Sequence, residues 1–157
     1  MVNTRIRPAT NADIEAVTAL VFGVLPEYGL SGDPLGIDAD LEDIEANYSA
    51  RGGCFDVLTN AEGVIEGTVG LYPLGNRVCE LRKMYLVKSA RGKGIGRALL
   101  EHALGRAREL GFRRIELETN SRLVEAISLY RRNGFQPIEN THHAERCDKR
   151  LALDLSD

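Results

Sequence analysis

The most distinctive chemistry in the sequence lies in a glycine-rich turn that reads Arg91-Gly92-Lys93-Gly94-Ile95-Gly96-Arg97. Because glycine has no Cβ, successive backbone N–H groups at such a turn can point into one anion. A strongly helical segment follows, and its N-terminus adds partial positive charge to the full charges of Arg91, Lys93 and Arg97. This combination predicts a phosphate-binding site, and a pyrophosphate in particular.

Two common phosphate-binding patterns do not fit this turn. A P-loop requires Gly-Lys followed by Ser or Thr, whereas Lys93 is followed by Gly94. The dinucleotide fingerprint requires Gly or Ala at its third position, which Arg97 or Leu99 occupies, depending on the glycine that starts the pattern. Both interpretations are therefore disfavoured, and a glycine turn without a ligand stays as the structural alternative.

The segments on either side of the turn can be assigned from their hydrophobic periodicity. Residues 94–110 carry apolar side chains at helical spacing, and Gly111 follows as a helix terminator. Before the turn, residues 78–87 form an extended run whose alternation slips at Arg82-Lys83, which indicates a β-bulge. The turn is thus predicted to join a bulged strand to the clearest helix of the chain.

The remaining elements complete an α+β or α/β pattern within one domain, residues 1–157. Residues 55–59 and 64–72 read as an antiparallel hairpin. Further strands are predicted at residues 4–7 and 114–119 and in a final pair that begins at Phe135, and further helices at 14–25, 40–47 and 123–132. Residues 26–38 are predicted to be a loop, which is long for a compact domain. This order indicates helices on both faces of a mixed sheet.

Composition places the chain among ordinary folded domains. Of its 157 residues, 43% are hydrophobic and 27% are charged, with a formal net charge of −3. Since there is no basic excess, a general nucleic-acid partner is disfavoured. The first residues lack the apolar core of a signal peptide, and no apolar stretch is long enough to span a bilayer. We therefore expect a soluble, cytoplasmic protein without a membrane partner.

The cysteines and histidines argue against metal and thiol chemistry. An odd number of cysteines without a CxxC pair predicts buried or free thiols at Cys54, Cys79 and Cys147. No histidine is close in sequence to Cys54 or Cys79, so a covalent route through either thiol is disfavoured. The cluster of His142, His143 and Glu145 lacks the spacing of metal ligands, and no metal is predicted.

At the glycine turn, the sequence resembles the GCN5-related N-acetyltransferase (GNAT) family. Residues 91–96 match that family's Arg/Gln-x-x-Gly-x-Gly/Ala pattern, and they follow a strand that reads Glu80-Leu81-Arg82-Lys83-Met84-Tyr85-Leu86. The second family signature, LY…GF, is matched by Leu129-Tyr130 and Gly134-Phe135. The resemblance implies a mixed, mostly antiparallel central sheet of about seven strands with helices on both faces.

The resemblance also implies acetyl-coenzyme A as co-substrate. In the family, the fourth and fifth strands splay apart and acetyl-coenzyme A lies in the opening. By this analogy, the backbone of one strand pairs with the pantetheine arm and the glycine turn holds the pyrophosphate. The cofactor-binding residues implied are Met84, Tyr85, Leu86, Arg91, Gly92, Lys93, Gly94, Ile95, Gly96, Arg97 and Asn120. Asn120 has a second interpretation, as a cap of the following helix.

Direct acetyl transfer to an amine requires a group that takes a proton and a group that gives one. Glu80 is the first candidate for the base, because it lies on the presumed fourth strand near the opening. Glu118, twelve residues before Tyr130, is the second, and either glutamate can instead be a surface residue. The family resemblance makes Tyr130 the acid for the departing thiolate. Its place in an apolar helical stripe allows a plain core tyrosine as the alternative.

The acceptor side is predicted least sharply. By analogy, residues 26–38 and 140–149 frame it, and the side chains in or directly beside these segments include Tyr28, Asp33, Asp38, Glu139, Glu145 and Asp148. These carboxylates favour a cationic amine. We therefore expect a primary amine of a small molecule or a peptide as the acceptor. A homodimer and a longer acyl group stay open, and the alternative function is a non-catalytic coenzyme A-binding regulatory module.

Overall fold

Seven strands form one sheet in the computed structural model, which describes residues 4–139 and 146–155. They are β1 Arg5–Pro8, β2 Cys54–Thr59, β3 Ile65–Gly75, β4 Val78–Leu86, β5 Arg114–Thr119, β6 Gln136–Pro137 and β7 Lys149–Asp154. Their order is β1-β2-β3-β4-β5-β7-β6, and each neighbouring pair is antiparallel except β4 with β5. The predicted mixed, mostly antiparallel sheet is confirmed.

The α-helices of the described residues are α1 Ile14–Val24, α2 Ile44–Asn47, α3 Ile95–Glu109 and α4 Val124–Arg132. None of them has the length and apolar content needed to cross a bilayer. The helix predicted at 40–47 is divided, because a 3-10 turn occupies Ala39–Glu42 and α2 starts separately. The division lies at Asp43, whose side chain accepts a hydrogen bond from the Ala46 N–H and so caps α2.

Apolar cores lie on both faces of the sheet. On one face, Leu99, Leu100, Ala103 and Ala107 of α3 pack against strands β2 to β5, β7 and Tyr130. On the other, α1, α2 and the segment between them pack against β2, with Val17, Val21, Leu41, Ile44 and Tyr48 among the buried residues. Side chains along β2 contribute to the two cores alternately, as a strand covered on both faces requires. Helices on both faces are therefore confirmed.

A β-bulge interrupts β4, where the sequence predicted a slip. Thr68 of β3 is opposite Tyr85, but Gly70, two residues further, is opposite Arg82, so β4 contains one extra residue. Within this stretch Lys83 has φ of +56°, which is uncommon for a residue with a side chain.

The bulge reverses which face of the sheet each β4 side chain contacts. Before it, Cys79 and Leu81 belong to the core beneath α3. After it, Met84 and Leu86 pack on that same core, and Tyr85 packs on the opposite one. The odd-numbered positions face α3 on one side of the bulge and the even-numbered positions on the other.

β4 and β5 pair only over their first residues. Their parallel ladder ends at Glu80 and Glu116, although β4 continues to Leu86 and β5 to Thr119. Beyond that point the two strands line opposite walls of a cleft.

Candidate active site

The cleft between β4 and β5 has a volume of about 1290 Å³. Residues 80–86 of β4 and residues 117–120 of β5 and its C-terminal end contribute to its walls. The glycine turn and α4 contribute near Leu86, whereas Tyr72, Asp40 and Asn47 contribute near Glu80. Since each strand residue advances by roughly 3.3 Å, these two ends of β4 lie far apart, and the cleft can hold an elongated ligand.

The structure brings most of the predicted site residues to this one cleft. Those that line it are Glu80, Met84, Tyr85, Leu86, Arg91, Gly92, Gly94, Gly96, Arg97, Asn120 and Tyr130, together with the alternative base Glu118. Two predicted residues do not present side chains to it. Lys93 is exposed on the turn, and Ile95 is buried in the core beneath α3.

The glycine turn has the form that an anion site requires. Gly92 and Gly94 have φ of +78° and +76°, and a Cβ at either would meet no atom within 4 Å. Gly94 is the N-cap of α3 and supplies no side chain to cap it. Backbone N–H groups of the first helical turn are therefore available beside open space, which fits a pyrophosphate.

Two arginines of the turn contact carboxylates at the protein surface. Arg97 Nε donates to Glu101 Oε1 at 2.8 Å, and both side chains are largely exposed. Arg91 Nη1 donates to Glu27 Oε1 at 2.8 Å, and its Nε and Nη2 donate to the Leu86 carbonyl. Arg91 therefore connects the turn to the end of β4 and to the segment that follows α1.

Both candidate bases reach the cleft, in different surroundings. Glu80 Oε1 accepts a hydrogen bond from Arg82 Nε at 2.5 Å, and the Arg82 guanidinium lies 3.8 Å from the centre of the Tyr72 ring. Glu118 is half-buried and lines the opposite wall. Its neighbour on the same strand face, Glu116, does not line the cleft and is paired with Arg114 and Arg150 at 2.9 Å each. Because Glu116 is absent from the cleft lining, it is a structural carboxylate, whereas Glu80 and Glu118 stay candidates.

Tyr130 belongs both to the core and to the cleft. Its side chain is buried and its ring centre lies 5.6 Å from that of Phe135, yet it lines the cleft wall. Burial and the nearby Tyr85 raise the pKa of Tyr130 above its ordinary value, so its hydroxyl stays protonated at neutral pH. The two interpretations of this tyrosine are therefore compatible, and a protonated hydroxyl can act as a proton donor.

Asp38 does not have the role at the acceptor side that the sequence suggested. Its side chain is buried and accepts two hydrogen bonds from Arg146, at 2.7 and 2.8 Å, while Lys83 Nζ lies 3.2 Å away. Burial acts to raise the pKa of Asp38, but bonds from Arg146 and the Asp33 N–H and the charges of Lys83 and Arg146 outweigh it and lower the pKa. A cationic acceptor would find this carboxylate already neutralised.

Asp33, Glu139 and Asp148, which were also predicted at the acceptor side, do not line the cleft. Asp148 accepts bonds from the Ser121 N–H and Oγ, both at 2.8 Å, and Asp148, Asp33 and Glu139 are exposed away from the cleft lining. Residues 140–145, which include His142, His143 and Glu145, lie outside the described residues. Of the residues named for the acceptor side, Tyr28 lines the cleft.

Lys83 is a site residue that sequence reasoning missed. From the bulge, its Nζ reaches Asp40 Oδ1 at 3.0 Å and donates to the Ile37 carbonyl at 3.1 Å. The Tyr48 hydroxyl donates to the same aspartate. Lys83 therefore attaches the segment after α1 to the cleft wall. The slip in alternation at Arg82-Lys83 indicated an irregular strand at this position, but it did not indicate which residues Lys83 would contact.

Asn120 does not cap α4 with its side chain, contrary to the second interpretation. Leu123 is the N-cap of α4, whereas Asn120 Oδ1 accepts from the Arg122 N–H at 2.9 Å. Asn120 Nδ2 donates to the Arg146 carbonyl at 2.8 Å. Asn120 thus orders the turn before the helix and holds the Arg146 backbone beside the cleft.

All three cysteines are buried and free, as predicted. Burial is the main cause that raises the pKa of Cys54 to about 11, of Cys79 to about 12 and of Cys147 to about 11. Cys147 lines the cleft, a position that its sequence context did not indicate. These thiols stay protonated near neutral pH and are poor nucleophiles. Within the described residues, no three His, Cys, Asp or Glu side chains are grouped to hold a metal ion.

Comparisons with known proteins agree with this geometry. The Acetyltransferase (GNAT) family pattern matches residues 25–135. The uncharacterized N-acetyltransferase YjgM of Escherichia coli (strain K12) is 36% identical over 159 residues, covering 96% of this chain and 94% of that protein. An acetyltransferase of the GNAT family from Staphylococcus aureus Mu50 has a TM-score of 0.91 at 26% identity, covering 98% and 99% of the two chains. A GNAT superfamily phosphinothricin acetyltransferase from Sinorhizobium meliloti, solved in complex with AcCoA, has a TM-score of 0.73 at 23% identity, covering 97% and 88%. The chain therefore belongs to the GNAT acetyltransferase family, as its motifs predicted.

Proposed function

We propose that the protein is an acetyl-coenzyme A-dependent N-acetyltransferase that acts directly on a primary amine of a small molecule or a peptide. One observation carries this proposal. Where the β4–β5 ladder ends, a single cleft collects the glycine turn, two carboxylates and the protonated hydroxyl of Tyr130. The same cleft therefore contains a turn that can bind an anion, carboxylates that can take a proton and a hydroxyl that can give one. We propose that this single domain works in the cytoplasm.

Acetyl-coenzyme A supplies an activated acetyl thioester when it is bound. The S. meliloti relative with AcCoA supports its use here, as does family membership. In the proposed complex, backbone N–H groups of residues 92–97 hold the pyrophosphate, and Arg91 adds charge to the site. The backbone of residues 84–86 forms the cleft wall along the part of β4 that has no β5 partner, where an extended arm can lie.

In the proposed reaction, Glu80 takes the proton of the ammonium group, directly or through water. An alkylammonium has a pKa of about 10, so near neutral pH the amine must lose a proton before it can attack. The bond from Arg82 fixes the Glu80 carboxylate on the cleft wall. Glu118 on the opposite wall is the alternative base. Tyr130 gives a proton to the departing thiolate.

Direct transfer is favoured over a cysteine-linked route by the state of the thiols. Cys147 is the cysteine on the cleft wall, and burial together with the charge of Glu118 raises its pKa to about 11. A thiol of this kind is rarely ionised at neutral pH, and the described residues place no histidine at the cleft wall beside it to act as a base.

An acceptor screen tests the proposed function. The protein is incubated with acetyl-coenzyme A and with members of each primary-amine class, and release of free coenzyme A thiol is followed. We expect thiol release that depends on both the amine and the protein. Tight binding of acetyl-coenzyme A without thiol release from any amine class would instead favour the regulatory module.

A further inference from the structure

We propose that the acceptor is a small zwitterion whose primary amine stands next to a carboxylate, as in an α-amino acid, and that Arg82 binds that carboxylate. This inference rests on the proposed acetyl transfer and names its substrate class. It follows from the charges that line the Glu80 end of the cleft.

Three cations line this end of the cleft: Arg82, Lys83 and Arg146. Two of them, Lys83 and Arg146, are buried in ion pairs within the protein. The Lys83 side chain is 4% exposed and lies between Asp38 and Asp40, and Arg146 is 11% exposed and makes a two-bond contact with Asp38. Both side chains are almost fully buried in these ion pairs, so they shape the wall rather than meet a ligand.

Arg82 differs from these two cations in exposure and in orientation. Its side chain is 28% exposed, and its guanidinium lies over the Tyr72 ring, with Cζ 3.8 Å from the ring centre. Glu80 accepts from Nε, and the charge of Arg82 also acts on the buried Tyr48 hydroxyl, where it opposes the rise in pKa that burial causes. A guanidinium has more N–H donors than the bond to Glu80 uses. The cation–π contact and the Nε bond thus hold a charged donor group at the cleft wall.

Glu80 and Arg82 together form a receptor for two adjacent charges. Their charged groups are in contact at 2.5 Å, on neighbouring positions of one strand face. In an α-amino acid, one carbon atom separates the amine from the carboxylate. An ammonium at Glu80 therefore places the ligand carboxylate close to Arg82, where charge-assisted bonds to a planar guanidinium are strong.

The same pair discriminates against other amines. A polyamine would bring a second positive charge toward Arg82, which costs Coulomb energy in a partly buried site. A simple alkylamine would leave Arg82 without the anion that its position favours. The inference therefore separates amino acids from polyamines, aminoglycosides and alkylamines.

Matched sets of three acceptors test this inference: an L-amino acid, its carboxamide and the corresponding amine without the carboxyl group. For the parent protein we expect kcat/KM for the acid to exceed that for the other two by about 10- to 100-fold. Arg82→Gln should bring this ratio close to one, and Arg82→Lys should retain part of it. Arg51→Gln is the matched control, because Arg51 contacts the same Tyr72 ring at 5.5 Å but does not line the cleft. It should leave the ratio unchanged.

The outcomes separate this inference from the proposed function. Thiol release from no amine at all would contradict the proposed function. Acetylation of the carboxamide or the simple amine as efficiently as the acid would contradict only the inference that the acceptor is a zwitterion. An equal loss for all three acceptors in Arg82→Gln would show that Arg82 merely holds Glu80. Calorimetric titration with coenzyme A verifies that each variant keeps a folded cofactor site.

Discussion

Arg91 Nη1 lies 2.8 Å from Glu27 Oε1, although Arg91 belongs to the turn that is proposed to hold a pyrophosphate. The two side chains are 21% and 33% exposed, and the guanidinium also lies 5.5 Å from the centre of the Tyr28 ring. Glu27 therefore places a negative charge next to a proposed anion site. A phosphate and this carboxylate must share one guanidinium.

Glu27→Gln should tighten coenzyme A binding about threefold, because it removes the competing charge from a partly solvated pair. The gain should be lost with pantetheine, which lacks the pyrophosphate. Isothermal titration measures both affinities. Glu101→Gln, which removes the exposed partner of Arg97, is the matched control and should have a smaller effect. Weaker coenzyme A binding in Glu27→Gln would mean that Arg91 needs Glu27 to stay in place.

Gly96→Glu should reduce coenzyme A affinity by about 100-fold, because it puts a negative side chain among the N–H groups proposed to hold the pyrophosphate. Gly96 lines the cleft, and a Cβ there would touch only side-chain atoms of Leu86 and Leu129, at 3.5 and 3.7 Å. Gly105→Glu is the control, because it adds the same charge to α3 where a Cβ meets no atom within 4 Å. Equal affinities for the two variants would place the cofactor elsewhere.

Glu80→Gln should lower kcat/KM by about 10²- to 10⁴-fold at neutral pH, with partial recovery at high pH, where the amine is already neutral. The pH–rate profile should also lose the acid limb that the parent protein shows. Glu116→Gln, whose carboxylate is held by Arg114 and Arg150, provides the control and should keep that limb. If Glu118→Gln abolishes the limb while Glu80→Gln retains it, Glu118 is the base.

Tyr130→Phe should lower kcat about 10- to 100-fold and leave coenzyme A affinity nearly unchanged, because only a hydroxyl is removed. The ring packing on Phe135 is preserved, so the melting temperature should change little. Burial raises the pKa of Tyr130, so this hydroxyl should not produce an alkaline limb in the parent profile below pH 10. Steady-state kinetics and calorimetry separate the two effects. Unchanged kcat would make Tyr130 a core residue only.

Asp38→Asn should destabilise the protein by about 3 kcal/mol at pH 7, because it leaves the buried Arg146 without its anion and Lys83 with Asp40 alone. The pKa of Asp38 is lower in the folded protein than its ordinary value of 3.8. The ionised Asp38 side chain therefore contributes its full stabilisation of the folded state at pH values above 3.8, and this stabilisation is lost as the pH falls through the lowered pKa. Urea unfolding at pH 7 and pH 3 should show the difference between parent and variant narrowing in acid. Asp33→Asn, an exposed change in the same segment, should show no such trend.

The sequence was sufficient wherever a local pattern determines the structure. Strand β5 has the predicted bounds, and α3 runs from Ile95 to Glu109 within the predicted 94–110, because helical periodicity and Gly111 are both local signals. The bulge was also visible, since it shifts the alternation of neighbouring residues in β4. These elements determine where the cleft opens.

Long-range ion pairs could not be predicted in the same way. Asp38 and Arg146 are 108 residues apart, and nothing near either of them indicates that they pair. Glu116 and Glu118 share one strand face, but Glu116 is neutralised by Arg150 on β7, a contact that depends on strand order. Such pairs decide which carboxylates can meet a ligand, and for this reason the sequence alone did not indicate that Asp38 is neutralised by Arg146 and Lys83.

Because β4 contains one extra residue, its side chains alternate between the two faces of the sheet in one phase before the bulge and in the opposite phase after it. Glu80 and Arg82 belong to the first, Met84 and Leu86 belong to the second, and the changeover falls at Lys83. Deleting one residue at the changeover would act as a frameshift in space, turning either the charged pair or the apolar wall to the wrong side of the sheet. Related chains should therefore differ by many substitutions along this strand, but the strand should keep the same length in all of them.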